Sequence, residues 1–367
     1  MSRYINSNKD LFCGDRYFFE HVMPKEFDYR AHKKELSAYF EKYGYKVSMM
    51  YNDYYSQLNG VISDQYVSMD VYYFYILPCL NKGTFESAYT DKNMYSALLG
   101  EFPQPKTIIK NMNGHWLNAD SQEITIDEVC QILLMYNDEM IIKPTVDTCN
   151  GDGVSRFLNK GRQEIVEQLK AYKKDFIIQE KVIQHHSLSL FNTTSLNTVR
   201  IFTYRTLSGD IVVLPHSLFF RFGGKGAVKD NASAGGGFCK VYIDGSLEDT
   251  IYHFCSMKKD SFAKDMHIID PKLPNIEDAY DLVKKMHMKM VYFDVIGWDI
   301  AFLEDGSPIF IEMNTKPSCE APQIPQGPLF GDRIDEIMER VSHCEREVVT
   351  FQKNNFDNGN YYMLQIS

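Results

Sequence analysis

Nothing in the 367-residue sequence approaches the roughly 20 consecutive apolar residues that a membrane-spanning helix needs. The most apolar stretch, VYYFYILPCL (71–80), is too short and holds a proline. The opening residues, MSRYINSNKDLFCGDRYFFE, are polar and charged early and lack the apolar core of a signal peptide. The expectation is a cytoplasmic protein, with a peripheral membrane contact left open. Positive charge is in deficit, with a net charge of −10. That argues against a broad basic face for nucleic acid, though not against a local basic pocket for phosphates. None of the eight cysteines (13, 79, 130, 149, 239, 255, 319 and 344) pairs with another as a CxxC metal knuckle. They are expected to be reduced and mostly buried thiols. Two nucleotide signatures are missing as well. There is no GxxxxGK[ST], and no GxGxxG follows a strand.

What is present is the composition of a globular protein, 44% hydrophobic and 24% charged, long enough for two or three packed lobes. Residues 24–43 predict a helix, with Pro24 near its start and Gly44 just past its end. Tyrosine crowds 39–75, either as aromatic packing or as a platform for a sugar or another ring. DKNMYSALLG (91–100) predicts a short helix stopped by FPQP. KTIIKN (106–111), EMIIKPT (139–145) and DFIIQEKVI (175–183) predict strands, with a helix near 126–136. The β-branched and aromatic run 197–243 predicts a sheet, 276–293 a helix and 297–314 a hairpin. A further helix follows from about 328, then a polar tail. The mixture predicts an α+β arrangement.

The hairpin carries the sharpest signal. Asp305-Gly306 between apolar runs predicts a two-residue turn, so that paired numbers sum to 611. Asp299 then faces Glu312, and Asn314 shares their sheet face. Opposed carboxylates need compensation, which a divalent cation provides, and these oxygen ligands suit Mg²⁺ or Mn²⁺. If the repulsion stands uncompensated in the apo protein, Asp299→Asn should leave it stable. The alternative is a solvated face whose carboxylates pair with lysines.

In IIKPTVDTCNGDGVSRF (141–157) a strand delivers Lys143 to a loop with Gly151 and Gly153. Glycines let backbone N–H groups approach phosphate oxygens, and the lysine adds a point charge. An ordinary strand and loop would look the same. FIIQEKVI (176–183) could offer backbone groups and a carboxamide to an adenine edge. The adjacent His185 and His186 point to opposite faces and do not make one metal site; His185 is at most the edge of a nucleotide pocket.

The order of these features resembles the ATP-grasp superfamily over residues 91–330. It runs Lys92, Lys143 with its glycine loop, Gln179-Glu180-Lys181, the arginines, Asp299, then Glu312-x-Asn314. SLNTVRIFT (195–203), LFFRFGGKGAVKDNASAGGGF (218–238) and GWDIAFLEDGSPIFIEMNTKP (297–317) resemble, more narrowly, the sugar-transfer-associated ATP-grasp proteins of surface-polysaccharide synthesis. The resemblance implies two α+β lobes sandwiching ATP. Its expected divisions are an accessory region (1–90), a small subdomain (91–178), a large one (179–350) and a polar tail (351–367). It also implies an ADP-forming ligase that activates a carboxylate as an acylphosphate for attack by an amine, on a sugar or a sugar-linked acceptor. A kinase-like phosphotransferase acting on a hydroxyl, or a nucleotide-binding component without turnover, stays open.

Within that resemblance Lys92, Lys143, Gly151 and Gly153 contact phosphates, and Gln179, Glu180, Lys181 and Ile183 line the adenine pocket. Asp299, Glu312 and Asn314 hold the metal. Arg200 and Arg221 are candidates for the carboxylate and acylphosphate, or else structural ion pairs. Asn231 and Gly235–Gly237 would shape the acceptor side. Lys316 could reach a phosphate or be a solvated lysine. Trp298 is expected in the core.

Overall fold

A computed structural model describes residues 38–45, 47, 49–146, 153–159, 161–228, 230, 235–344, 349–356 and 359–366. The apolar runs near 107–180 become a five-stranded antiparallel sheet: β1 (Thr107–Met112), β2 (His115–Asn118), β3 (Met140–Pro144), β4 (Ser155–Phe157) and β5 (Phe176–Glu180), in the order β2-β1-β5-β3-β4. Helices Ile126–Met135 and Arg162–Tyr172 cover it, burying Val129, Leu133, Ile165 and Leu169 against Ile108, Ile142 and Phe176. The first helix starts on a reciprocal cap: Thr125 accepts from the Glu128 N–H, and Glu128 accepts from the Thr125 N–H. Such a cap is worth about 1 kcal/mol.

The second sheet contains β6 (Thr198–Arg205), β7 (Ile211–Val213), β8 (Phe219–Phe222), β9 (Gly237–Lys240), β10 (Thr250–Tyr252), β11 (Lys259–Ser261), β12 (Val295–Phe302) and β13 (Pro308–Asn314). Its order is β11-β10-β9-β8-β6-β12-β13, with β7 beside β6. Period-two alternation sorts its two faces. Val199, Ile201, Ile296, Trp298 and Ile300 pack with helix Ile276–Lys289. Phe202, Tyr204 and Val295 face the opposite way, toward Tyr51, Tyr54, Tyr55 and Tyr72 and the helix Ile334–His343. Most of the tyrosine crowd of 39–75 thus packs as aromatic core, on the same sheet face as Arg200 and Asp299. Trp298 is fully buried and donates to Thr203 Oγ1 at 2.7 Å.

Most of the helix expected at 24–43 lies outside the described residues; Ala38–Glu41 is helical. The segment 91–100 folds as a 3₁₀ turn (Lys92–Met94) running into helix Tyr95–Leu99. Where a polar tail is expected, β14 (Val349–Phe356) and β15 (Gly359–Ile366) pair as an antiparallel hairpin.

The β12–β13 hairpin differs from expectation at its tip. Leu303 pairs with Ser307 around a three-residue loop, and the Gly306 N–H donates to the Leu303 carbonyl at 2.8 Å. Gly306 has φ +83°, the left-handed conformation such a loop requires. Pairs near the tip, such as Phe302 with Pro308, therefore sum to 610. A bulge at Ile311 then restores the expected register, so Asp299 still faces Glu312 and Gly297 faces Asn314.

Candidate functional site

Three neighbouring strands place Arg200 (β6), Asp299 (β12) and Glu312 (β13) in one cross-strand row. Thr198 pairs with Arg221 of β8 one step along. Alternation forces the row onto a single face. Opposite it, β3 contributes Lys143, and the 3₁₀ turn contributes Lys92. The two sheets enclose a cavity of about 270 Å³, whose wall includes Lys92, Lys143, Arg221, Asp230, Asp299 and Glu312. Its far end is the connection out of β5, from Gln179 to Gln184.

The bulge explains one feature of this wall. In a regular strand, neighbours point to opposite faces, yet Ile311 and Glu312 both line the cavity while Phe310 is in the core.

The charges on the two walls are satisfied differently. Asp299 accepts from Arg200 through Nε and, at 3.0 Å, through Nη2. Arg221 Nη2 is also 3.0 Å from Asp299 Oδ2, 3.3 Å from Asp230 Oδ2 and donates to Thr198 Oγ1 at 2.9 Å. Burial alone would raise the Asp299 carboxyl, but the two guanidiniums hold it below its ordinary range. Asp230 goes the other way. Its burial, reinforced by the Asp299 charge, outweighs the pull of Arg221 and raises its carboxyl. The ion-pair alternative for both arginines is therefore realised, on a carboxylate of the cavity wall. Asp230 and Thr198 are functional candidates that had no assigned role from sequence. Thr198 carried a signal, because it lies two residues from Arg200 in the Asn-Thr-x-Arg run and shares its face.

On the other wall Glu312 pairs with Lys92 at 3.0 Å. Lys143 is only 9% exposed and forms no ion pair among the described residues. Burial and the nearby Lys92 cation lower its pKa to about 8, against a partial pull from Glu312. The expectation that carboxylates of this face pair with lysines holds for Glu312, but the face is a cavity wall and not solvated hairpin surface.

The adenine-edge residues are engaged through their side chains. Gln179 donates to the Pro105 carbonyl at 3.1 Å, Glu180 pairs with Lys106 at 2.9 Å, and Lys181 pairs with Glu139. Ile183, 66% exposed, lines both this cavity and a wider cleft of about 630 Å³ on the other side of the connection. Gly153 follows the strand as expected; Gly151 and Asn231 lie outside the described residues. Lys316 does not join the cavity wall. It is 56% exposed and pairs with Glu86 at 2.5 Å. His185 caps the short helix His186–Ser189 through Nδ1.

Among the described residues no group of three or more His, Cys, Asp or Glu side chains could hold a metal ion. What the row offers is two carboxylates and an amide. The Asn314 Nδ2 is buried without a hydrogen-bond partner among the described residues. Amide nitrogen and oxygen exchange places on a half-turn, so Asn314 can place its oxygen there instead. Carboxylate and amide oxygens fit a hard divalent cation that completes its shell with water and phosphate.

No curated protein matches the sequence. Among solved structures, D-cycloserine synthetase DcsG is similar at 15% identity and a TM-score of 0.41, over 69% of this chain and 70% of that one. The ATP-grasp ligase PsnB, complexed with a phosphomimetic variant of its minimal precursor, Mg and ADP, is similar at 13% identity and a TM-score of 0.38, over 70% and 59%. D-alanine–D-alanine ligase from Bacillus anthracis follows at 16% and 0.37, over 69% and 68%. At these identities and scores the likenesses say nothing about substrate. No helix among the described residues is long and apolar enough to cross a membrane. The family model for sugar-transfer associated ATP-grasp matches residues 75–339, more than two thirds of the sequence. Cavity, charged row and family match coincide on the same stretch, and the chain belongs to the sugar-transfer associated ATP-grasp family.

Proposed function

We propose that this protein is an ATP- and Mg²⁺-dependent, ADP-forming carboxylate–amine ligase. It joins an amino acid or another carboxylate to an amine of a sugar or sugar-linked intermediate in surface-polysaccharide biosynthesis. The observation that carries the reading is the cavity between the sheets. It sets a buried lysine that forms no ion pair among the described residues opposite a row of carboxylates braced by arginines. Such a site accepts an anion that brings its own cations.

In this reading the triphosphate lies toward Lys143 and Lys92, with the adenine toward Val182 and Ile183. The closed cavity is small for a whole nucleotide, and the wider cleft shares the wall that the base would use. Asp299, Glu312 and Asn314 would hold Mg²⁺, which neutralises phosphate charge when bound. Phosphoryl transfer needs positioning and charge compensation more than a covalent catalyst. The substrate carboxylate attacks the γ-phosphorus, and ADP leaves. Arg200 and Arg221 orient the carboxylate and then the acylphosphate, a geometry that suits guanidinium. An amine attacks the acyl carbon, phosphate departs, and the amine loses a proton.

The test is melting of the purified chain with ATP, with and without Mg²⁺. A ligand confined to the folded state stabilises it by about 2.7 kcal/mol at roughly 100-fold over Kd. The expected result is a Mg²⁺-dependent rise that Glu312→Gln weakens. No response to ATP would leave a scaffold without turnover as the better account. A stable phosphorylated product without release of phosphate would replace the ligase with a phosphotransferase.

A further inference from the structure

The ligase reading leaves the acceptor unplaced, and the sheet face beside the charged row holds a second polar cluster. One step along that face from Asp299, Gly297 carries no side chain. A Cβ there would lie 2.7 Å from Pro317 Cβ and 3.4 Å from Arg200 Cδ. The chain leaving β13 thus folds back over Gly297, next to Arg200, and delivers Ser318, Cys319 and Glu320 to the tyrosine-rich layer. Glu320 is 4% exposed. Its carboxylate accepts from Ser318 Oγ at 2.5 Å and from Tyr73 Oη at 3.3 Å, and it forms no ion pair among the described residues.

Tyr72 and Tyr73, in edge contact at 5.0 Å, stand over it. The Tyr72 hydroxyl is buried without a hydrogen-bond partner among the described residues and lies within reach of the charges of both Glu320 and Arg200. Both tyrosines sit on a five-residue π-helical segment, Tyr72–Ile76, inserted between α-helical turns. Such insertions are rare and occur disproportionately at functional sites. Tyr73 and Ser318 are partly exposed.

Among the described residues this buried carboxylate, walled by aromatic rings, meets two hydroxyls, its own backbone N–H and the Cys319 thiol, but no cation. We propose that Glu320, Tyr72 and Tyr73 form the acceptor subsite and that it takes a protonated amine, the ammonium end of an amino sugar or a like molecule. This rests on the ligase reading. The Glu320 carboxylate receives one proton from the ammonium, which leaves a neutral amine to attack the acyl carbon beside Arg200. Burial, opposed by its hydrogen-bond partners, raises the Glu320 carboxyl and favours that transfer.

The test follows melting of the full chain in MgATP with glucosamine, glucose or N-acetylglucosamine at equal concentration. Only glucosamine should add to the MgATP shift, and Glu320→Gln should abolish that increment while keeping the MgATP shift. Tyr72→Phe, which removes only an unbonded hydroxyl, folds at least as well and should reduce the increment. A glucosamine increment that survives in full in either variant, that glucose matches, or that the native chain lacks overturns the subsite. A missing MgATP shift sinks the ligase reading instead, so the two failures are distinct.

Discussion

On the large-sheet wall of the cavity, Arg200 and Arg221 are both tied to Asp299, and Asp230 and Thr198 share the Arg221 Nη2 with it. On the small-sheet wall, Lys92 reaches across to Glu312, and Lys143 is buried beside it with no ion pair among the described residues. Both walls are cationic, but among the described residues only the first carries counter-ions of its own. A guanidinium braced by a buried carboxylate is fixed in place before any substrate arrives. A desolvated lysine beside another lysine is a cost of the empty site that an anion removes. The first wall is built to orient, the second to attract.

Substitutions can break this contrast in graded ways. The largest expected effect is that of Glu312→Gln, which should lower MgATP-dependent turnover on the order of 100-fold or more. Glu312 is 31% exposed, so a melting curve of the apo variant should move little. Retention of full activity would remove Glu312 from the metal set. Asp299→Asn comes next, and here the structure reverses the expectation from the bare hairpin. Asp299 is compensated by two guanidiniums, so neutralising it leaves Arg200 and Arg221 poorly paired. Losing one partner of a buried pair costs about 3–5 kcal/mol, readable by urea unfolding. An unchanged midpoint would show that the wall is not braced through this carboxylate.

Lys143→Met should be the mirror image, with an apo protein as stable as the native one or more so. ATP affinity should fall roughly 10- to 100-fold, as expected for a charge-assisted hydrogen bond worth about 1.5–3 kcal/mol. Equilibrium binding measures it, and unchanged affinity would separate Lys143 from the phosphates. The smallest effect is protonic. The Lys143 pKa of about 8 lies below its ordinary 10.5, so its protonated form costs stability below pH 8. That cost fades as pH rises from about 8 toward 10.5. Phosphates favour the charged form, so ATP binding near pH 9 should take up a proton. Calorimetry in buffers of different ionisation heat should show that uptake, and Lys143→Met should lose it.

Local patterns made much of this legible. The expected two-residue turn placed Asp299 opposite Glu312, and that pair survives only because the bulge at Ile311 offsets a three-residue loop. The tip itself was ambiguous, because Asp-Gly serves a two-residue turn and also a three-residue loop with glycine in the left-handed position. Hydrophobic runs marked β1, β3 and β5, and helix punctuation marked the segment 91–100, whereas Lys92 was singled out only by the family resemblance. The counter-ions were not legible. Asp299 and Arg200 are brought together by the pairing of β6 with β12, and no local rule links strands so far apart. Lys316 illustrates the converse. Two residues past Asn314 in sequence, it has already left the strand and pairs with Glu86.

The bulge at Ile311 has one more consequence. A three-residue loop with a bulge and a two-residue loop without one use the same number of residues between Asp299 and Glu312. The hairpin therefore has two solutions of equal length that share their inner half. Shortening the tip by one residue need not drag the charged pair out of line, since straightening β13 absorbs the change. The outer loop is free to vary in length and composition over evolutionary time, or in the hands of an engineer, while the chemistry four pairs away stays aligned.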